Sequence, residues 1–493
     1  MNSAIRRLSV VVLVMFLALM ASSTWVQFFD ANSLNADPRN RHTLYREYGT
    51  FRGPIVVDGQ AIASSSPVDD PFGYQRTYSA GSLYAPVTGF YSVIYGRTGI
   101  EQAENTLLNG SDDSLFWTRL GDLLAGKEQR GATVELTLRS ELQQVAADAL
   151  GAQRGAVVAL DPRTGEILAM VTSPSYDPGR LASHTTTDVV SAYQALDDDP
   201  SHPLINRAIA GDTYAPGSLF KLVTTTAALE SGYTPDTPLY APQELTLPLS
   251  STTITNFGNE PCGPDDRPTL AYALQHSCNT PFAGLAMSLG WDSIARKAKE
   301  FGWGDSLSIP MTVTPSRLPA SPDAAQTAMS GIGQFDVRAT PLQMAMVGSA
   351  IANGGVLMRP YLVADTRDSS LQVLSVAHPK TYSTPMSEAT AIQLREMMVS
   401  VVEGGTGTAA QIPGVRVAGK TGTAESGSDA APHAWFLGFA PADNPVVVVV
   451  VIVENGGNAG SEATGGTVAA PIAKAVIEKA IELDQSRKDQ GLQ

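Results

Sequence analysis

Ser218 and Lys221 stand one helical turn apart, where Pro216 and Gly217 stop the chain and Leu222, Val223, Ala227, Ala228 and Leu229 begin a helical pattern. That spacing sets an amine beside a hydroxyl. A lysine that accepts the hydroxyl proton makes serine a nucleophile without any histidine. The same residues also suit an ordinary helix start, with Ser218 as N-cap and Lys221 on the surface. The pair alone does not choose between these readings.

Two further short motifs follow in order. Ser277-Cys278-Asn279 falls between helical patterns over Thr269–Gln275 and Asn279–Leu289, and Lys420-Thr421-Gly422 lies within the strand-like run Val415–Thr423. Singly, Ser277 fits a helix cap, Asn279 a turn and Lys420 a charge guarding an edge strand. Together with Ser218-x-x-Lys221 they supply hydroxyls, two amines, an amide and a glycine on a strand. Gly422 would let a substrate backbone approach that strand and pair with it.

The elements that must position these groups belong to a chain of 493 residues, 43% hydrophobic and 16% charged, which suits two or three folded domains. A formal charge of −15 and a pI near 4.9 argue against nucleic acid as a partner. The six histidines show no H-E-x-x-H or Cys/His ligand spacing, so no metal site is expected. Arg6 and Arg7 precede an apolar run from Leu8 to Phe29. At about 1.5 Å per residue that run reaches about 33 Å, enough to cross a bilayer. The arginines hold the N-terminus in the cytoplasm, which reads as a signal anchor; cleavage near Ala21-Ser22-Ser23 is the competing reading. Everything after residue 30 then lies outside the cytoplasm, where Cys262 and Cys278 are either bridged or two free thiols.

Residues 1–30 are thus the cytoplasmic tip and anchor. Residues 31–139 read as a smaller mixed domain, with a strand at Ile55–Val57 ending in an Asp58-Gly59 turn, a loop at Ser64–Asp70, a helical run opening at Gly96–Glu101 and a strand at Val134–Leu138. No dense set of titratable groups appears there, and a structural or partner-docking module is the reading. Residues 140–485 form the larger domain: a helix from Ser140 to Leu150, a hairpin of Gly155–Leu160 and Ile167–Val171, a polar surface excursion over Ser173–Pro203, helices over Gln343–Asn353 and Glu388–Val402, and strands His433–Phe439 and Val446–Val453. Eight β-branched residues in a row from Val446 need cover on both faces, which makes that strand central. A helix over Val468–Leu483 closes the fold, and residues 486–493 are a polar tail. The class is α+β, with a helical subdomain inserted between the first and last strands. Gly405-Thr406-Gly407-Thr408-Ala409-Ala410 fits G-x-G-x-x-A but follows a helix instead of a strand, so it is not read as a nucleotide site.

The three motifs in this order, with the anchor, Arg52-Gly53-Pro54-Ile55, Gly155 to Val171, Tyr214 to Lys221 and Lys420 to Glu425, resemble the class B penicillin-binding proteins of the division-associated group. These are monofunctional D,D-transpeptidases of peptidoglycan synthesis, and the likeness covers most of the chain. It departs at Cys278 in the middle of the second motif and at Phe335, where glycine is common after Gly-Gln. The resemblance implies the penicillin-binding/serine β-lactamase-like transpeptidase fold, with an antiparallel five-stranded sheet. It implies Ser218 as nucleophile, Lys221 as base with its proton affinity depressed by burial and by Lys420, Ser277 as proton relay and Asn279 as the group holding Lys221 and the substrate amide. Lys420, Thr421, Gly422 and Thr423 would bind the substrate end, with an oxyanion hole from the N–H groups of Ser218 and Thr423.

The implied ligands are stem peptides ending in D-Ala-D-Ala, an amine acceptor and β-lactams, with no cofactor; division-complex proteins are implied partners. A β-lactamase is disfavoured because no E-x-x-L-N segment lies between Asn279 and Lys420. A D,D-carboxypeptidase stays open, since only the acceptor differs. A β-lactam sensor would carry a cytoplasmic signalling domain, and a silent division scaffold would not need all three motifs.

Overall fold

The computed structural model describes residues 3–30, 47–248, 250–425 and 431–491. Helix α1, Ser3–Thr24, continues through one π turn to Phe29. The span Ile5–Phe29, with Arg6 and Arg7 at its start, has a mean hydropathy of 2.1 and no buried residue, and it is long enough to cross a membrane.

The N-terminal sheet begins with a hairpin of β1, Ile55–Val57, and β2, Gln60–Pro67. Asp58 and Gly59 both take positive φ, 49° and 73°, as a two-residue hairpin turn requires. β2 pairs with β3, Tyr74–Tyr78, and so occupies Ser64–Pro67, which the sequence reads as loop. Serines there face polar partners across the ladder, Ser64 Oγ lying 3.1 Å from Thr77 Oγ1, and a strand polar on both sides leaves no hydrophobic alternation to read. β4, Thr133–Leu136, joins β1 in parallel. The far edge comes from much later in the chain: Val363–Arg367 pairs with β4, and Val373–Val376 pairs with Val363–Arg367. The two regions therefore share a sheet as well as a core.

Inside this module lies a charge cluster that linear reading passes over, because its members are far apart in sequence. Glu101, fully buried, meets Arg52 Nε at 2.5 Å and Arg76 Nε at 2.6 Å, and Tyr78 donates to it at 3.2 Å. Burial alone would raise the Glu101 pKa; Arg76 and Arg52 outweigh it and hold the carboxylate below its ordinary value. Glu101→Ala leaves two buried guanidiniums unanswered and is expected to destabilise this module by about 3–5 kcal/mol. Calorimetry reads it as a lowered Tm, and an unchanged Tm would refute it.

The larger sheet contains β5, Gly155–Leu160, β6, Ile167–Ser173, β7, Ala418–Ala424, β8, His433–Ala440, and β9, Val447–Val453, in the antiparallel order β7-β8-β9-β5-β6. β9 is central. Val448, Val450 and Ile452 enter one core, and Val447, Val449, Val451 and Val453 the other. The second core is covered by α2, Ser140–Leu150, and by a closing helix, Ala470–Asp489, which runs beyond Leu483 into the stretch read as polar tail. An i,i+4 pair between Asp484 and Lys488, at 2.6 Å, supports that last turn. The helical subdomain covers the first core with α3, Lys221–Glu230, α4, Leu270–Gln275, α5, Thr280–Leu289, α6, Pro341–Ala352, and α7, Glu388–Gly404. Met344 and Met346 are buried filler in α6. The polar stretch after β6 holds a helix, Thr186–Asp197, that buries Val189 and Ala192.

Candidate active site

Ser218 sits in a 3₁₀ turn, Gly217–Phe220, that leads directly into α3. Gly217 takes φ 52°, and a Cβ there would lie 2.6 Å from the Thr423 carbonyl oxygen, so glycine alone lets the turn press onto β7. Gly422 completes the fit from the strand side, since its Cβ would meet the Pro216 carbonyl at 3.0 Å. That glycine therefore admits the protein's own serine turn, whereas the sequence reading assigned it to the approach of a substrate backbone. Trp435 on β8 donates to the Ala215 carbonyl at 3.1 Å and pins the turn from beneath. Ser218 remains half-buried and reachable, while every residue from Lys221 to Leu229 is buried.

Ser277 lies between α4 and α5 with φ 58°, a left-handed conformation uncommon for serine. It is over-determined: Ser277 and Cys278 donate backbone N–H bonds into the end of α4, Asn279 and Thr280 both donate to Asn256 Oδ1, and Cys278 is bridged to Cys262. This strained serine links the two lysines. Its carbonyl accepts from Lys221 Nζ at 2.7 Å, and its Oγ accepts from Lys420 Nζ at 2.7 Å. Lys221 also donates to Asn279 Oδ1 at 2.8 Å, and Lys420 to the Thr421 carbonyl at 2.8 Å. Asn279 Nδ2 is fixed by the Thr255 carbonyl at 3.0 Å. These two donated bonds hold Lys221 in place.

Both lysines are 0% exposed, with no carboxylate among these partners. Burial, and then the charge of Lys420, hold the Lys221 amine well below the usual lysine range, and burial brings Lys420 down to about 7. The arrangement holds an amine of lowered proton affinity one turn from a reachable serine. Beside it β7 is an edge strand that pairs with β8 alone among the described residues, an arrangement to which an extended peptide can add. The arrangement can take a proton from a hydroxyl, return one through Ser277 and bind a peptide by strand addition.

The structure brings Lys221, Ser277, Asn279 and Lys420 into one hydrogen-bonded chain, with Ser218 set against β7. Sequence reasoning missed Thr406. Its hydroxyl lies 2.6 Å from that of Thr421, so the glycine-rich stretch that resembled a nucleotide loop instead braces the Lys420 strand. Gly466 permits this, since a Cβ there would meet the Thr406 carbonyl at 2.4 Å. Glu454 was also missed. It accepts from the Tyr214 hydroxyl at 2.7 Å and from Arg207 Nε at 2.8 Å, tying the end of β9 to the segment before Ser218. No local pattern announces either residue. Phe335, the residue in place of a common glycine, holds φ 59° and is exposed.

The family model for the penicillin binding protein transpeptidase domain matches residues 155–478, and that for the penicillin binding protein A dimerisation domain matches residues 52–134. The chain is similar to the peptidoglycan D,D-transpeptidase PbpA of Mycolicibacterium smegmatis, 46% identical over 490 residues covering 98% of this chain and 99% of that one. It is 44% identical over 491 residues to the PbpA of Mycobacterium tuberculosis, with the same coverage. Among solved structures, the ceftriaxone acyl-enzyme complex of penicillin-binding protein A from M. tuberculosis superposes with a TM-score of 0.86 at 44% identity, covering 89% of this chain and all of that one. The penicillin G acyl-enzyme complex of the same protein gives 0.84 at 44% identity, covering 88% of this chain.

Proposed function

Because the chain belongs to the penicillin-binding protein transpeptidases, we propose that it is a peptidoglycan D,D-transpeptidase that works through a Ser218 acyl-enzyme and is acylated there by β-lactams. The observation that carries the residue roles is the hydrogen-bonded chain Lys221–Ser277–Lys420 beside an edge strand. Ser218 Oγ attacks the carbonyl between the two terminal D-Ala residues of a donor stem, and the neutral Lys221 amine takes its proton. The developing oxyanion is held by the N–H groups of Ser218 and Thr423, each such donor worth roughly 2.7–4 kcal/mol. Ser277, bonded to Lys420, passes a proton to the departing D-Ala amine. Asn279 keeps Lys221 in place, and Lys420, Thr421 and Thr423 bind the terminal carboxylate. An amine of a neighbouring stem then attacks the acyl-enzyme and forms the cross-link.

Thr406 acts through Thr421 as a positioning residue. Thr406→Val keeps the shape and removes the hydroxyl contact, so kcat/KM for a D-Ala-D-Ala donor is expected to fall roughly 3- to 10-fold. An unchanged value would remove Thr406 from this role.

The apolar helix anchors the chain in the cell membrane by a single pass, with the catalytic domain on the extracytoplasmic side. Arg6 and Arg7 in the first turns of the helix and the Cys262–Cys278 bridge support that orientation. The setting is septal wall synthesis, and residues 31–139 dock partners of the division complex. Incubation of the full-length protein with a donor stem and a stem bearing a free amine tests the reaction. A cross-linked dimer is expected; release of D-Ala with no dimer would instead make the protein a carboxypeptidase that uses water.

A further inference from the structure

The helix Phe116–Leu124 in the N-terminal module is turned inside out. Phe116, Trp117, Leu120, Leu123 and Leu124 fall on one face of it and all are exposed, Trp117 by 77%, Leu123 by 76% and Leu124 by 82%. The partly buried positions are the polar ones, Thr118, Arg119 and Asp122. Two of these hold the helix to the protein: Thr118 Oγ1 donates to Asp368 Oδ2 at 3.4 Å, and Arg119 Nη1 to the Gly110 carbonyl at 3.3 Å. A helix on a water-facing surface has the opposite arrangement. A contiguous face of large apolar side chains marks a surface that something apolar covers.

The way the chain arrives favours a bilayer as that cover. The described part of the module begins at Glu47, and four residues later (51 − 47) Phe51 forms a parallel bridge with Arg130, whose guanidinium lies 4.8 Å from the centre of the Phe51 ring. Gly131 donates its N–H to the Phe51 carbonyl at 3.0 Å. Arg130 is six residues past Leu124 (130 − 124), a reach of about 20 Å at most. The chain that leaves the anchor therefore enters the module on the flank of this helix. From Asp30 to Glu47 is 17 residues (47 − 30), about 60 Å at full extension, so the module stays within that distance of the anchor's end. Trp25, Phe28 and Phe29 at that end share the composition of the exposed face, aromatic rings beside apolar side chains, which suits the boundary between acyl chains and headgroups. Asp112, Asp113, Asp122 and Glu128 offset Arg119, Lys127 and Arg130 along this stretch, so the contact draws on apolar burial and not on anionic headgroups.

We propose that the helix Phe116–Leu124 is a second membrane contact, lying in the outer face of the bilayer with its apolar side down. Together with α1 it fixes the orientation of the module over the membrane, and with it that of the catalytic domain, whose strand Val363–Arg367 is paired to β4. The inference rests on the anchoring of α1 and goes beyond it.

The only two cysteines of the chain are bridged, so a cysteine introduced into the full-length protein is a unique free thiol. Leu123→Cys and, as a control on the catalytic domain, Glu244→Cys each carry a fluorophore in nanodiscs of neutral phosphatidylcholine that hold one copy apiece. Nitroxide on the lipid is expected to quench the Leu123→Cys label roughly threefold more than the control, and aqueous iodide to quench it roughly threefold less. Replacing half the lipid by phosphatidylglycerol is expected to leave both ratios unchanged. Adding Trp117→Asp and Leu120→Asp is expected to return the label to water, with the melting temperature unaltered. Equal quenching at the two sites overturns the proposal, as does lipid quenching that survives the added substitutions. Shielding from iodide without lipid quenching assigns the face to another protein and overturns it too. Protein that fails to enter the nanodiscs overturns the anchoring by α1, and the proposal with it.

Discussion

Ser218→Ala is expected to abolish covalent labelling by a fluorescent penicillin and to lower turnover of a D-Ala-D-Ala donor by a factor on the order of 10⁴–10⁶. Ser218 is half-buried and opens onto the edge of β7, whereas the side chains after it are packed into the subdomain. The substitution removes one oxygen and disturbs neither the Gly217 turn nor the lysine network, so the melting temperature is expected to hold. The nearest rival is Ser277, but its hydroxyl is engaged by Lys420 Nζ and its backbone is locked in the left-handed region. Persistent labelling in Ser218→Ala, mapped to Ser277 by peptide mass analysis, would transfer the nucleophile there.

The second large effect is at the base. Lys221→Met keeps the bulk of the side chain and removes the amine, with an expected loss of roughly 10²–10⁴ in acylation rate. The pH dependence of the unaltered protein carries the same information in finer form. Only the neutral amine accepts a proton, so acylation falls as pH drops through the Lys221 pKa. Burial and the Lys420 charge place that pKa well below the usual lysine range. Lys420→Met removes the second of these causes, so the Lys221 pKa rises and the acid limb moves to higher pH. The two amines share one network and titrate as a coupled pair, so the limb belongs to the pair. Its displacement, read from kcat/KM for penicillin acylation, is the measurement; a limb that stays in place or moves to lower pH would contradict the proposed base.

Much of this protein was legible in its sequence because the signals were local. Apolar length marked Leu8–Phe29, β-branched continuity marked β9 as central, and three short motifs contained every member of the hydrogen-bonded chain. Local reading failed where pairing had no hydrophobic alternation to show, as at Ser64–Pro67 in β2, and where a helix was polar to its end, as at Asp484–Asp489. It also judged a glycine-rich stretch by its pattern and so passed over the brace between Thr406 and Thr421.

The sequence by itself picked out the groups that the fold gathers at the candidate site and the elements that carry them, because residue type and periodicity are properties of a short window. Tertiary structure alone decided how those groups are poised. The depressed basicity of Lys221 and Lys420 requires their simultaneous burial, from a helix and a strand far apart in the chain. The link through Ser277 requires a backbone conformation that α4, Asn256 and the Cys262–Cys278 bridge impose together. The charges of Arg52, Arg76 and Glu101, and those of Arg207 and Glu454, meet only in the fold. Desolvation and Coulomb energy depend on distance through space, and no spacing along the chain encodes that distance.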